Sequence, residues 1–231
     1  MKLDILKRLN EARRARRAAV LVTDTATGAE RFVLGDSAAR DPLAAELQKR
    51  LLSARSGMLE DGHTFLTVYV PPPRLVVIGA VHISQALAPM ARLAGFDATI
   101  IDPRTAFATP DRFSDVALIA EWPEEALKTV PLDAFTGLVA LTHDPKIDDH
   151  PIIAALAANC FYVGALGSRK THGTRIERLA GQGASPASLE RIHAPIGVDI
   201  GAQSPAEIAV AILAEVIAAL RRGRAAERIA A

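Results

Sequence analysis

The run Arg74-Leu75-Val76-Val77-Ile78-Gly79-Ala80-Val81-His82-Ile83-Ser84, continuing to Asp102, decides the fold. The apolar residues Leu75 to Ile78 read as a strand and are followed by Gly79. Ile83, Ala86, Leu87, Met90, Ala91 and Ala94 then recur at helical spacing. Gly95 supplies a helix stop, and Ala98-Thr99-Ile100-Ile101 reads as a second buried strand. Strand, crossover helix and parallel strand in this length predict a βαβ unit. Asp102 falls 23 positions after Gly79, where a dinucleotide-binding fold places the acid that holds a ribose. The glycine fingerprint is incomplete. Val81 puts a Cβ where a pyrophosphate must approach the backbone, and Ser84 takes the third glycine position. Pro89 falls inside the helix and removes one backbone bond.

Working outward, residues 2–16 predict an amphipathic helix with Leu3, Leu6 and Leu9 on one side, and the cluster Arg13, Arg14, Arg16 and Arg17 reads as a solvated face. Strands are predicted at Ala19–Thr23, Arg31–Leu34, Gly57–Leu59 and Thr64–Val70, with a helix over Pro42–Ala54. Pro71-Pro72-Pro73 stiffens the chain into a linker. A small α+β domain over residues 1–70 therefore precedes a Rossmann-like α/β domain with a parallel sheet over residues 74–223. In the second domain, Val116–Ala120, Leu138–Leu141 and Phe161–Leu166 continue the sheet. Glu121-Trp122-Pro123 reads as turn. Helices are predicted at Asp148–Ala158 (Pro151 in the first turn), Arg169–Ala180 and Pro186–Ile192. Ser204-Pro205-Ala206-Glu207 is a capping box opening a helix that is apolar nearly all round to Leu220 and stops at Gly223. Such a helix is buried against the sheet or against a second copy, which makes a homodimer an expectation.

Composition narrows the function. The chain carries 27 basic and 26 acidic residues, so charge gives no case for nucleic acid or a membrane surface as partner. One cysteine, Cys160, rules out an internal disulfide and a cysteine metal cluster and fits a reducing cytoplasm. The apolar run after the basic start is too short for a secretory segment, and no run reaches the ~18 residues of a spanning helix.

Ligands of open parallel sheets bind beyond the carboxyl ends of the strands, so the loops there are the candidate sites. Thr142-His143-Asp144-Pro145-Lys146 groups a hydroxyl, an imidazole, a carboxylate and an ammonium, enough to bind a phosphate or place a proton; it also reads as a plain turn start. Gly164-Ala165-Leu166-Gly167-Ser168-Arg169-Lys170 leads into a helix N-terminus with a hydroxyl and two cations. That fits an anion site or an ordinary cap with surface cations. The apolar loop His193–Ala202 contains Asp199 and Gly201, and its glycines let it press on a ligand or on the core. His82 points into the Gly79 crevice or is structural.

Together LVVIGAVHISQALA, the aspartate ending the next strand, LTHD, YVGALGSRK and RIHAPIGVDIGAQSPAEIAVAILAE resemble the Rossmann domain of the XdhC/CoxI family, over about Arg74 to Gly223. The resemblance implies an accessory factor rather than an enzyme. It would bind molybdenum cofactor (molybdopterin), support its sulfuration and deliver it to a molybdenum hydroxylase of the xanthine or CO dehydrogenase type, with a cysteine desulfurase as a further partner. The cofactor contacts would come from Gly79, His82, Asp102, Thr142, His143, Asp144, Gly164, Gly167, Ser168, Arg169, Lys170, Asp199 and Gly201. The family's loop usually reads GAGHVG, here GAVHIS. Its N-terminal Gly-Gly-Cys-(Val or Leu)-Glu motif falls at Gly35–Arg40, which has neither the cysteine nor the glutamate. Two other readings stand beside this one: an NAD(P)-dependent oxidoreductase with Asp102 on the ribose, and a ligand-free assembly scaffold.

Overall fold

The computed structural model describes residues 2–222; the expected helix stop at Gly223 lies outside them. Two compact units result, one ending at Pro71 and the other beginning at Pro72.

The first unit is an antiparallel sheet with two helices. Helix α1 (Leu3–Arg14) places Ile5, Leu9 and Ala12 on one face, the i, i+4, i+7 spacing of a helical stripe. They pack with Ala19, Leu21 and Phe32 of strands β1 (Ala19–Asp24) and β2 (Glu30–Leu34). Helix α2 (Ala44–Ser53) and strands β3 (Gly57–Met58) and β4 (Thr64–Tyr69) complete it, in sheet order β2-β1-β4-β3. Gly35–Arg40, where the family motif would fall, is a 3-10 turn whose Asp36 pairs with Arg17 of the basic cluster.

The second unit is a doubly wound parallel sheet. Its elements run β5 (Arg74–Ile78), α3 (His82–Leu93), β6 (Asp97–Ile101), β7 (Ala117–Ile119), α4 (Pro123–Thr129), β8 (Thr136–Ala140), α5 (Pro145–Ala157), β9 (Tyr162–Ala165), α6 (Arg169–Gly181), α7 (Pro186–Leu189), β10 (Ile192–His193) and α8 (Pro205–Arg222). The order is β10-β9-β8-β5-β6-β7, with every pair parallel. The chain winds outward from β5 to β7, then returns to β8 and winds the other way, so the switch point lies between β5 and β8. Because side chains alternate along a strand, Leu75 and Val77 face the layer that holds α3 and α8, while Val76 and Ile78 face the layer of α4, α5 and α6. All four are essentially inaccessible to solvent, each burial stabilising by about 1.5–3 kcal/mol.

Several boundaries differ from the sequence expectation. Helix α5 begins at Pro145, because Asp144 caps it by accepting the Lys146 N–H at 3.0 Å. Pro151 is therefore interior to the helix, and Thr142–Lys146 is a turn plus the first helical residues, not a free loop. Helix α4 occupies what reads as turn: Pro123 at its first position and Glu124 and Glu125 in its first turn are start signals. Helix α7 stops at Leu189, and Ile192-His193 leave it to form the sixth strand beside Val163 and Gly164. Helix α3 continues across Pro89, which is exposed. The buried side of α8 (Ala209, Ala211, Ile212 and Val216) has partners in its own chain, chiefly α3. That removes the packing reason for expecting a homodimer.

Candidate functional site at the carboxyl edge of the parallel sheet

The Gly79 loop, between β5 and α3, is closed on itself. The Gly79 N–H donates to the Ile101 carbonyl at 2.8 Å, the Ala80 N–H to Asp102 Oδ2 at 2.7 Å and the Val81 N–H to Ser84 Oγ at 2.8 Å. The Ser84 hydroxyl, fully buried, lies 2.7 Å from the Gly79 carbonyl as its donor. From the other side Arg112 Nη1 donates to the Ala80 carbonyl at 3.2 Å. The serine at the third glycine position thus ties the turn down, and the N–H groups of Gly79, Ala80 and Val81 are all engaged within the protein. Gly79, at φ +115°, is required by packing as well: a Cβ there would lie 2.9 Å from Thr142 Cγ2.

Asp102 serves the same closure. It is buried and receives the Arg104 N–H and Nε at 2.9 Å each on Oδ1, and Arg104 Nη2 at 2.7 Å on Oδ2 beside Ala80. Burial alone would raise its pKa. The Arg104 guanidinium and the two backbone donors outweigh burial and hold the carboxyl below its ordinary range. Both oxygens are occupied inside the loop, which leaves them unsuited to a ribose.

On the other side of the switch point the arrangement is different. His143 follows β8 in a left-handed conformation at φ +64°. Asp148, in the first turns of α5, reaches back and accepts the Thr142 hydroxyl at 2.7 Å and the His143 N–H at 3.0 Å. The Asp144 N–H donates to Thr142 Oγ1 at 3.1 Å. Burial pushes the Asp148 carboxyl up to about 6, against the lowering pull of these donors and of Arg175.

Arg175 comes from α6. Side chains on a helix lean toward its N-terminus, so this long one runs back beneath the first turn and donates from Nη2 to the Leu166 carbonyl at 2.8 Å. It is 3% exposed, and Nε and Nη1 are buried without a partner among the described residues. One N–H on Nε and two on Nη1 leave three of its five donors unanswered. An unmet buried donor costs about 1–3 kcal/mol, more on a charged group, so such an arrangement calls for an acceptor. Burial lowers the Arg175 pKa, opposed by Asp148 and Asp149. His172, one turn earlier, also has a buried Nδ1 without a partner. The His143 and His172 pKa values are lowered, first by burial and then by Arg175. Asp149 is held by Arg178 through two bonds of 2.9 Å.

Above this guanidinium lies the turn Leu166–Ser168. Gly167 adopts φ +139°, and a Cβ on it would come 3.3 Å from Thr171 and 3.7 Å from Arg175 Nη2. Ser168 caps α6 by accepting the Thr171 N–H at 3.2 Å, and Arg169 and Lys170 project into solvent. Gly164 has another task. It lies within β9, where a Cβ would meet Ile196 Cδ1 and the Tyr162 hydroxyl at 2.6 Å.

Of the residues singled out from sequence, the structure therefore groups Thr142, His143, Asp144, Gly167 and Ser168 around Asp148 and Arg175, with Arg169 and Lys170 at the rim. Gly79, Asp102 and Gly164 are engaged in packing and loop closure. His82 opens α3 and is exposed. Asp199 and Gly201 sit on the exposed crest of the loop after β10, where Asp199 Oδ1 faces the Gly201 N–H at 3.4 Å. That loop is anchored by Glu215 of α8, which accepts the Tyr162 hydroxyl at 2.6 Å and the Gly197 N–H at 2.8 Å, and lies 3.0 Å from His193 Nδ1. Sequence reasoning missed Asp148, His172, Arg175 and Glu215 as members of these networks. A signal existed for Arg175: His172, Arg175 and Leu179 share one helical face, and an arginine on a stripe that ends in a buried leucine is a buried cation.

Cys160, the one cysteine in the chain, is fully buried, and burial pushes its thiol up to about 12. It is not a thiolate at neutral pH. Among the described residues no group of three or more His, Cys, Asp or Glu is placed to hold a metal ion, and no helix is long and apolar enough to cross a membrane.

A six-stranded parallel sheet wound from a central β5, with its ligand-facing groups at the carboxyl ends, defines a Rossmann-type domain. The model of the XdhC Rossmann domain matches residues 75–216, and the chain belongs to that family, as the resemblance in its motifs implied. Curated relatives include a probable xanthine dehydrogenase subunit of Bacillus subtilis, 33% identical over 68% of this chain and 46% of its own length. Another is the molybdenum cofactor insertion chaperone PaoD of Escherichia coli, 30% identical over 76% of this chain and 48% of its own. The chain spans less than half the length of these relatives. A solved structure, a xanthine dehydrogenase from Bacillus halodurans, shares the fold with a TM-score of 0.65 at 24% identity, over 96% of this chain and 66% of that one.

Proposed function

We propose that this chain is a maturation factor for a molybdenum hydroxylase, holding molybdenum cofactor at the carboxyl edge of its parallel sheet and passing it to the apo-enzyme. The observation that carries the reading is the contrast at the switch point. The Gly79 loop keeps its N–H groups for itself, whereas the ends of β8 and β9 gather Thr142, His143, Asp148 and Arg175 under a helix N-terminus. The names of the relatives above supply the cargo and client.

Each group has a task in this reading. Arg175 and the start of α6 hold the cargo's phosphate, Thr142 and His143 offer polar contacts beside it, and Arg169 and Lys170 raise the local concentration of an anionic ligand. Cys160 cannot carry sulfur, so sulfuration of the cofactor falls to a partner protein, a cysteine desulfurase, with this chain as the platform. A nicotinamide enzyme is disfavoured because Asp102 and the N–H groups of Gly79, Ala80 and Val81 are already engaged within the protein.

The test is to purify the full chain from cells that make the cofactor, release bound small molecules and measure pterin fluorescence. Stoichiometric pterin, and faster activation of an apo-hydroxylase when the loaded chain is added, are expected. A chain that carries no pterin and does not speed activation would contradict the proposal.

A further inference from the structure

The buried guanidinium of Arg175 ties down the Leu166 carbonyl, and that one bond uses only part of its capacity. Asp149, the nearby carboxylate best placed to receive a guanidinium, is already held by Arg178 through two bonds. Asp148 is turned to Thr142 and His143. Arg175 keeps one bond, to the Leu166 carbonyl, while its Nε and Nη1, which carry three of its N–H donors, have no acceptor among the described residues. His172 adds a third nitrogen without a partner among the described residues, on the same helix face. The neighbouring charges Arg104, Lys146, Arg175 and Arg178 balance Asp102, Asp144, Asp148 and Asp149, which leaves Arg169 and Lys170 as an excess of positive charge at the helix start. A positive helix end, a buried cation with free donors and surplus charge is what a compact, doubly charged oxyanion requires.

We infer that Arg175, His172 and the Gly167–Lys170 helix start form a receptor for a phosphate monoester, and that the turn over Arg175 opens at Gly167 to admit it. This rests on the reading of the carboxyl edge as the cargo site and narrows its ligand. The recognised group is a terminal phosphate, held two strands away from the place where a dinucleotide fold cradles a pyrophosphate. Gly167 is the hinge because its backbone, at φ +139°, is in a region that other residues rarely adopt. Thr142 and His143 then lie beside the phosphate, where they contact whatever the ester carries.

The experiment is a titration of the full chain with inorganic phosphate, followed through the Arg175 Nε resonance by nitrogen-15 NMR and in parallel by calorimetry. Saturable movement of that resonance is expected. Arg175→Gln should weaken binding by roughly ten- to a hundred-fold, the loss typical of a charged hydrogen bond, and Arg175→Lys by less. Should Arg175→Gln fail to fold, the wild-type resonance still decides. Movement confined to Arg169 and Lys170 with Arg175 unmoved, or no saturation, overturns the inference. A second arm uses isolated molybdenum cofactor. Cofactor that binds more tightly than phosphate and moves Arg175 identifies the monoester as the ligand, while equal affinities identify free phosphate. Cofactor that binds without touching Arg175 overturns the inference and leaves the maturation reading intact. Phosphate binding without cofactor binding does the reverse.

Discussion

Two strand–glycine–helix junctions stand at the same edge of the same sheet, and they have opposite characters. At β5–α3 the N–H groups of Gly79, Ala80 and Val81 go to Ile101, Asp102 and Ser84. At β9–α6 the turn through Gly167 covers an arginine whose donors outnumber its acceptors. The first has the outline of a ligand fingerprint and the bonding of a finished structural turn. The second has no fingerprint and retains unused binding capacity. A glycine loop marks where a backbone bends; free donors mark where a ligand can be held.

The largest effect expected from probing this contrast belongs to the glycine that sequence places in the anion loop and structure places in the core. Gly164→Ala should destabilise the domain by about 3 kcal/mol, since the new methyl meets Ile196 and Tyr162 at 2.6 Å. A denaturation midpoint unchanged from wild type would return Gly164 to the ligand side of the comparison.

Asp148, on the neighbouring β8–α5 turn beside the second junction, sharpens the comparison through pH. Its carboxyl lies at about 6 in the folded protein against an ordinary 3.8, so the folded chain holds that proton more tightly than the unfolded one. The stability it contributes is complete below about pH 4 and is lost as pH rises through about 6. At 1.36 kcal/mol per tenfold change in proton affinity this amounts to about 3 kcal/mol at most. Unfolding free energies at pH 4 and pH 7 should therefore differ between wild type and Asp148→Asn by an amount of this order, the variant gaining relative to wild type at pH 7. Parallel pH curves for the two proteins would show that burial does not perturb this carboxyl.

Smaller changes are expected at the first junction. Ser84→Ala removes the acceptor of the Val81 N–H, for a loss of about 1–2 kcal/mol in thermal or chemical denaturation. Ser84→Gly should cost a similar amount and gain no NADH affinity by fluorescence, because the Ala80 N–H and Asp102 remain engaged. NADH binding by that variant would mean the serine alone had closed a dinucleotide site. The smallest effect is at the rim. Arg169→Ala should leave stability within about 0.5 kcal/mol of wild type, and its effect on oxyanion affinity should fall as salt rises.

Most of the sheet was legible because its strands are short apolar runs bounded by glycine, proline or aspartate, and the βαβ spacing around Gly79 is strong. Ile192-His193 was not, since two residues give no period and the pairing comes from β9. Helix α4 was hidden by a tryptophan and a proline, although that proline is a start signal. At the site, Thr142, His143 and Ser168 could be read from their position after strands. Asp148 and Arg175 could not be read as easily, because a charge drawn into the interior is revealed by what surrounds it in space. Asp102 shows the converse: its spacing matches a ribose acid, while spacing says nothing of the neighbouring Arg104, two residues on, which engages its oxygens.

The most direct measurement is amide chemical-shift mapping of the full chain during titration with isolated molybdenum cofactor. The largest shifts are expected at Thr142–Asp144 and from Leu166 to His172, with Gly79–His82 little changed. Shifts concentrated on Gly79–His82, with the β8 and β9 ends silent, would contradict the assignment of the cargo site to the second junction.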